Sequence, residues 1–358
     1  MGSLWLTNGG RWLVTISLLL ITIIVFPIAT YYLDEPPNEL QIYLLKLTSF
    51  IALIFAFLTF IIGEATKNFS QVDKIWSLTP FIYAWVITFS SNSKEGSLNL
   101  INDDDQLSKP SPRLLLMSVL ATVWGLRLTI NSCRKGRYSW KFWTGEEDYR
   151  WPILRAKPEF QVEEGTWNYK IFFLHLFFTC LYQNFLLLSI VLPMIKIAGN
   201  AINHKDLLLS DYILAALFII CVIIEGVADE QMLVFQTEKY RRKNNNEDLS
   251  NTIYERGFIQ HGLFKYTRHP NYFAEQSFWV IFYLFSVFST GVWINWSICG
   301  CLLYIALFHG SINLGEEISG SKYPEYARYQ KEVSRCVPWF SKISDGEEGS
   351  EETVKFQQ

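Results

Sequence analysis

The densest run of chemically capable side chains lies between His261 and Glu275, reading His-Gly-Leu-Phe-Lys-Tyr-Thr-Arg-His-Pro-Asn-Tyr-Phe-Ala-Glu. Pro270 has a fixed φ and no N–H, so it fits the first turn of a helix. Asn271 then begins that helix, and Glu275 follows one turn later on the same face. Arg268, His269, Asn271 and Glu275 therefore converge at a helix mouth, with Tyr272 among them. Cationic groups beside a helix N-terminus suit phosphate. An amide with a carboxylate suits a ribose or a carboxamide. The same residues would also serve as an interfacial turn that anchors the helix in lipid headgroups, and local chemistry leaves both readings open. Cys133, Cys180, Cys221, Cys299, Cys301 and Cys336 show no metal-ligand spacing and read mostly as small hydrophobes.

The elements that position this cluster are read from missing charge. Of 358 residues, 50% are hydrophobic, 16% aromatic and only 18% charged, against about 25% charged in a soluble domain. That composition excludes a disordered chain, a collagen-like fibre and a coiled coil. A net charge of −3 argues against a general nucleic-acid binder. Charge-free or nearly charge-free runs cover Trp12–Leu33, Ile42–Ile62, Ile75–Ser90, Leu114–Ile130, Ile171–Ile195, Tyr212–Ile224 and Gln276–Phe308. A bilayer core needs about 20 helical residues. The last run is too long for one span, and Ser289-Thr290-Gly291 is a turn signal inside it, so it reads as a hairpin of two short helices. The expectation is an all-α integral membrane protein, a bundle of about eight spans.

Lys and Arg cluster after Ile130, after Glu230 and after His309, whereas Asp34-Glu35 and Asp103-Asp104-Asp105 lie in loops poor in them. With eight spans the basic loops and both termini share one side, which the positive-inside rule makes cytosolic. Glu225, Asp229 and Glu230 are read as ending the sixth span. Arg127 and His175 sit inside spans, where ionisable groups either line a polar cavity or are tied down by hydrogen bonds and snorkelling. The domain reading is N-terminal transmembrane helices over 1–70, a catalytic transmembrane domain over 71–340 and a disordered acidic tail over 341–358. The 91–112 stretch reads as a flexible insert.

Arg-His-Pro-Asn-Tyr-x-x-Glu after Gly-Leu-Phe-x-Tyr resembles the membrane-embedded superfamily of steroid 5α-reductases and sterol C14 reductases, and most nearly its steroid-reductase-like branch. Isoprenylcysteine carboxyl methyltransferases share the C-terminal fold and a similar Arg-His-Pro-x-Tyr signature. Further matches are Val72-Asp73-x-x-Trp76, Trp124-Gly125-Leu126-Arg127, Glu147-Asp148-Tyr149-Arg150-Trp151, Glu225-Gly226-Val227-Ala228-Asp229-x-Gln231, Lys322-Tyr323-Pro324-Glu325-Tyr326 and Arg335-x-x-Pro338-Trp339. They run from about residue 70 to 340.

The resemblance implies a steroid-reductase-like helical bundle in the endoplasmic reticulum. It would hold NADPH on the cytosolic side against a flat, lipid-soluble substrate that enters from the bilayer. On this reading Asn271 and Glu275 hold the nicotinamide half of the cofactor, and Asp229 and Gln231 belong to a cofactor-contacting segment. Tyr323 lies near the adenosine phosphate, while Arg268 and Arg335 are phosphate partners by charge and location. Two basic residues common in related reductases are Met232 and Gln236 here, with Lys239, Arg241 or Arg242 as replacements, and Ala274 stands where Gly is common. Reduction of a conjugated C=C needs a group that stabilises negative charge on the carbonyl oxygen. Asp73 lies about where steroid 5α-reductases place a glutamate for that task. It is expected to be protonated through burial, with Trp124 and Arg127 nearby and Tyr83 as a second donor. The competing reading pairs Asp73 with Lys74 or Arg127 as structural glue. Two rival functions stand beside the reductase: an S-adenosylmethionine-dependent methyltransferase of a prenylated or lipid acceptor, and a non-catalytic membrane relative.

Overall fold

The computed structural model describes residues 8–91, 110–138, 140–141, 144–163, 166–198, 206–250 and 252–340. The 341–358 tail and most of the 91–112 insert lie outside the described residues. Among the described residues there is no β-strand.

Helix α1 (Asn8–Leu20) continues through a π-helical turn (Ile21–Val25) into α2 (Phe26–Leu33). Asn38 caps α3 (Glu39–Thr66) with a reciprocal pair: its Oδ1 accepts from Gln41 N at 2.9 Å, and its N–H donates to Gln41 Oε1 at 3.0 Å. Short α4 (Gln71–Ile75), α5 (Thr79–Ser90), α6 (Pro112–Arg134) and short α7 (Arg150–Arg155) follow. Helix α8 (Tyr169–Phe173) passes through a nine-residue π segment (Leu174–Tyr182) into α9 (Gln183–Ser189). Next come α10 (Leu192–Ala198), α11 (Leu209–Asn244), α12 (Pro270–Thr290), α13 (Ile298–Lys322) and α14 (Tyr326–Glu332).

Six stretches are helical, long and apolar enough to cross a bilayer: 13–33, 39–66, 112–134, 169–189, 209–244 and 298–322. Helix α5 is apolar but has 12 residues, and α12 has 21. Together they occupy all eight expected positions, and the chain is a multi-span helical membrane protein. Its polarity is inverted relative to a soluble domain. Phe50, Phe57, Ile61, Ile130, Phe177, Ile213 and Ile220 face outward, whereas Thr48, Thr59, Ser118, Asn184 and Glu225 are buried. Lipid tails offer apolar side chains the solvent that a core otherwise provides, so polar and small residues join the helices. Thr88 and Ser118 hydroxyls meet at 2.8 Å between α5 and α6, and Ser77, in the turn before α5, meets Thr129 of α6 at 2.7 Å.

Helix ends depart from the charge boundaries. The Gln276–Phe308 run is indeed a hairpin, turned at Gly291 (φ +75°), but its helices are 21 and 25 residues long rather than short. Polar residues at their ends continue the helix beyond the apolar run. Likewise Glu225–Glu230 does not end the sixth helix. Met, Leu, Gln, Glu, Lys and Arg are strong helix formers and carry α11 to Asn244, after which Asn246 adopts φ +55°. At 36 residues, α11 is about 54 Å long. The 171–195 run breaks after Ser189, ahead of Pro193.

The chain divides into two compact units. Among the described residues, one is built from 8–17, 219–278 and 305–340, and the other from 18–218 and 279–304. The larger unit is tied by buried ion pairs. Arg113 grips Asp211 with two bonds of 2.8 and 2.9 Å, and Asp34 accepts from Lys196 Nζ at 2.7 Å and from Trp296 N at 3.0 Å. His175 is fully buried and serves packing. Its Nδ1 lies 2.9 Å from Glu64 Oε1, its Nε2 lies 3.3 Å from Cys180 Sγ, and its ring is stacked by Phe60 and Phe69. Gly63 makes room for it: a Cβ there would sit 2.6 Å from His175 Cε1.

Candidate functional site

The smaller unit gathers every residue expected to hold the cofactor. Asp229 and Gln231 come from α11, and Arg268 and His269 precede α12. Asn271, Tyr272 and Glu275 open α12, and Tyr323 and Arg335 flank α14. Asn271 Nδ2 donates to buried Asp229 Oδ1 at 3.4 Å, which joins two motifs far apart in sequence. Gln231 Oε1 accepts from Leu263 N at 3.0 Å. The Gln231 side chain fills the space beside Gly262 (φ +62°), where a Cβ would lie 2.5 Å from its Nε2. Gln231 thus secures the loop that leads to the Arg-His-Pro-Asn sequence.

Arg268 is committed to protein groups. Its Nε donates to Glu316 Oε1 at 2.7 Å, and its Nη1 to the carbonyls of Gln330, at 2.9 Å, and Val333. Glu316 also takes His269 Nε2 at 3.2 Å and Gln330 Nε2 at 3.0 Å. Burial holds His269 below its ordinary imidazole pKa. Glu316 opposes that shift, and the charges of Arg268 and Arg335 add to it. The His269 ring stacks on Tyr272, with centroids 5.5 Å apart. Arg335 donates to His309 Nδ1 at 3.3 Å, to the His309 carbonyl at 3.4 Å and to Asn313 Oδ1. Glu316 and Gln330 complete this network and were not foreseen. A carboxylate inside α13 was the available signal, since an ionisable group in an apolar helix needs a partner.

A second cluster forms at Tyr323. Gly257 (φ +80°) lies flat against its ring, where a Cβ would be 2.3 Å from Cε1. Buried Lys239 reaches the same spot. Its Nζ donates to the Gly257 carbonyl at 2.9 Å and lies 3.5 Å from Tyr323 Oη, among the rings of Phe235, Tyr240 and Tyr323. Lys322 stands over the Tyr323 ring at 5.3 Å. Arg241 and Arg242 are paired instead with Glu238 and Glu247. Of the three expected replacements, Lys239 is the one that meets Tyr323. Met232 joins an apolar cluster with Ala228, Phe235, Tyr254, Ile259 and Phe264, and Gln236 bonds to its sulfur at 3.6 Å.

The larger unit carries Asp73, Tyr83, Trp124 and Arg127. Asp73 lies on α4 and borders a cavity of about 210 Å³ whose walls include Lys74, Lys135, Arg137, Glu147 and Asp148. Trp124, Arg127 and Tyr83 are not among the residues lining it. Trp124 is buried against Trp279, with ring centroids 5.0 Å apart, and Tyr83 is fully buried against Phe55 with no hydrogen-bond partner for its hydroxyl among the described residues. Lys74, beside Asp73, feels its charge and donates from Nζ to the Thr144 carbonyl at 2.9 Å. Burial pushes the Asp73 carboxyl above its ordinary range. Arg150 works against this, Asp148 with it, and Arg137 and a hydrogen bond from Ser70 against it. Burial also disfavours charge on Asp148, but Arg150 and Arg137 more than reverse that and hold it below its ordinary range. The Glu147–Trp151 motif therefore belongs to the Asp73 site, across a sequence distance that no local pattern reveals.

Residues 59–333 match a family described as "Protein of unknown function (DUF1295)". A fission-yeast protein, Uncharacterized protein C594.04c of Schizosaccharomyces pombe, is 33% identical over 299 residues, covering 78% of each chain. No solved structure matches the chain. The family match spans most of the helical bundle, including α4 and the whole Asp229–Tyr323 network, and the chain is a member of the DUF1295 family.

Proposed function

We propose that this chain is a membrane-embedded, NADPH-dependent reductase of a carbon–carbon double bond in a steroid-like, sterol or enoyl-lipid substrate, within the steroid 5α-reductase superfamily. The observation that carries the reading is the layout of the smaller unit. Asp229 and Lys239 lie ten residues apart on one helix, about 15 Å, a separation suited to the two halves of an extended dinucleotide. At one end Asn271, Asp229 and Glu275 offer the amide and carboxylates that suit a ribose and a carboxamide. At the other, Tyr323 offers an aromatic face, with Lys239 and Lys322 as cations for a phosphate. The donor set therefore fits the cofactor. Arg268 and Arg335 take a supporting part, holding the motif to Glu316, His309 and Asn313.

When bound, NADPH supplies the hydride. Asp73, whose carboxyl burial pushes above its ordinary range, in its protonated form hydrogen-bonds the substrate carbonyl and stabilises the negative charge that develops on its oxygen. Buried polar atoms such as Tyr83 Oη suit the polar end of a mostly apolar ligand. We place the protein in the endoplasmic reticulum with its basic loops cytosolic.

The test is thermal unfolding of the purified protein with NADPH, NADH or S-adenosylmethionine. A ligand at about 100 times its Kd adds about 2.7 kcal/mol to the folded state. NADPH stabilisation supports the reading. Stabilisation by S-adenosylmethionine alone replaces it with a methyltransferase, and response to neither favours a non-catalytic role. Asp73→Asn is expected to abolish NADPH-dependent reduction of an enone lipid while leaving NADPH stabilisation intact.

A further inference from the structure

A cavity of about 380 Å³ lies in the larger unit where two membrane-crossing segments end. Lys67, the first residue past α3, and Asn168, the residue before α8, both line it. The two segments run antiparallel, since Thr59 meets Asn184 and Glu64 meets His175. Their ends at 67 and 168 therefore share one face of the bilayer. It is the face of the basic segment after Ile130, which leads to Asn168 through α7, a helix of only 6 residues. Trp167 and Tyr169, on either side of Asn168, are 62% and 50% exposed. Exposed Trp and Tyr at the end of a span mark the headgroup level. The cavity thus stands at the depth of lipid phosphates.

Its lining divides by chemistry. Phe69, Phe160, Val162 and Ile171 give apolar walls, and Lys67 and Arg155 bring positive charge, with no carboxylate among the lining residues. Two acids pair with these cations from outside the lining. Glu64 Oε1 lies 2.9 Å from His175 Nδ1, and its Oε2 accepts from Lys67 Nζ at 3.3 Å. Glu147 Oε1 accepts from Phe69 N and from Arg155 Nη1, each at 3.0 Å, and its Oε2 accepts from Arg155 Nη2. Both cations keep donors in reserve. The Lys67 side chain is 77% exposed, and so exposed a pair is weak and exchanges readily for another anion. Arg155 Nε meets no acceptor among the described residues. The Arg155 guanidinium carbon stands 5.5 Å from the Phe69 ring centroid, and Gln161 Nε2 donates to the Arg155 carbonyl at 2.5 Å, so this cation is braced against the apolar wall.

We propose that this cavity binds the headgroup of an anionic glycerophospholipid from the leaflet on the side of the basic loops. The phosphate oxygens accept from Lys67 Nζ and Arg155 Nε. The glycerol and the first acyl carbons lie on Phe69, Phe160, Val162 and Ile171, and the tails remain in the bilayer. A volume of about 380 Å³ is at the small end of ligand pockets: it takes a headgroup and its glycerol but not two acyl chains. A free phosphate ion would use the two cations and gain nothing from the four apolar walls, so the lipid is the favoured source. None of the lining residues is among those assigned to NADPH or to Asp73, and the site stands or falls independently of the reductase reading.

The test is native mass spectrometry of the full-length protein released from detergent micelles into which phosphatidic acid or phosphatidylcholine has been titrated, with inorganic phosphate as a competitor. One phosphatidic acid should bind saturably and about tenfold or more tightly than phosphatidylcholine. Lys67→Gln, a change at an exposed side chain, should weaken it about tenfold, the loss of one charge-assisted contact. Lys243→Gln removes an exposed cation from the end of α11, away from the cavity, and should leave binding unchanged. Val162→Trp fills the cavity without altering charge and should abolish binding, with the unfolding midpoint in phosphatidylcholine micelles showing that each variant is folded. Equal losses in Lys67→Gln and Lys243→Gln reduce the effect to general charge attraction and overturn the proposal. Equal affinity for phosphatidylcholine overturns it too, as does a folded Val162→Trp protein that still binds. Displacement of the lipid by an equal concentration of inorganic phosphate overturns it in favour of a soluble anion.

Discussion

Removing the charge of Glu316 is the perturbation whose cost the structure specifies best. Its side chain is 0% exposed and faces an Arg268 side chain that is 5% exposed. The carboxylate accepts from Arg268, His269 and Gln330, so both oxygens are in use. Glu316→Gln keeps the shape but replaces one acceptor oxygen by a donor NH₂. At least one of the three bonds is lost, worth about 1 kcal/mol, and the buried guanidinium loses its counter-charge. Breaking a buried pair costs about 3–5 kcal/mol. Helices that remain inserted after unfolding find alternative partners and reduce that figure, so about 3 kcal/mol is expected, roughly a 150-fold change in the unfolding equilibrium. The assay is unfolding of the protein from mixed lipid–detergent micelles by a denaturing detergent, followed by tryptophan fluorescence. Arg268→Met should cost a similar amount. The double variant Arg268→Met with Glu316→Met should cost far less than the sum, because no charge is then left buried. A Glu316→Gln loss under about 1 kcal/mol, or additive single and double variants, refutes the account of Arg268 as an internal tie.

Three further outcomes follow from the same geometry. Gly300→Ala should destabilise by about 3 kcal/mol or more, since its Cβ would fall 2.0 Å from the Ser189 carbonyl oxygen, whereas Gly320→Ala, with open space around it, should be neutral or gain up to about 1 kcal/mol of helix propensity; equilibrium unfolding compares them. His269 has a depressed pKa, so folding favours its neutral form. Its contribution is present above the unfolded value of about 6.5 and is lost as pH falls below that value toward the folded one. The difference in unfolding free energy between wild type and His269→Gln should therefore shrink with acidification through that window, and a pH-independent difference would contradict the assignment. Lys239→Met keeps the stem among Phe235, Tyr240 and Tyr323 but removes the ammonium, and should weaken NADPH by about tenfold while changing NADH much less, the loss of one charge-assisted contact; titration calorimetry separates the two.

The membrane class and the eight helical segments were legible in the sequence because hydrocarbon tolerates so few charges. The helix ends were not, since a chain such as 225–244 leaves the apolar phase without ceasing to be helical. The polar residues of the Arg-His-Pro-Asn and Asp-x-Gln motifs do occupy one unit, as the sequence grouped them. Individual duties were less so. Arg268 was read as a phosphate partner by charge and location, and nothing local marked its bond to Glu316, 48 residues on. For Asp73 the family resemblance led to Trp124 and Arg127 of the fourth span as neighbours and Tyr83 as a second donor. The cavity beside it is lined instead by the 135–149 segment, and Asp148 reaches Ser70 from 78 residues away. Charge partners of this kind are set by tertiary folding, and no periodicity encodes them.

The π segment at Leu174–Tyr182 constrains how this chain can change. It carries more residues per turn than an α-helix, and it places His175, Thr179, Cys180 and, beyond it, Asn184 inward while Phe177 and Phe178 face out. At ordinary α-helical pitch, about 100° per residue, the nine steps from His175 to Asn184 would set these two buried residues on opposite faces. The wider turn of this segment is what keeps His175 and Asn184 both inward, so its winding, more than the identity of its outward Phe177 and Phe178, is what the packing requires.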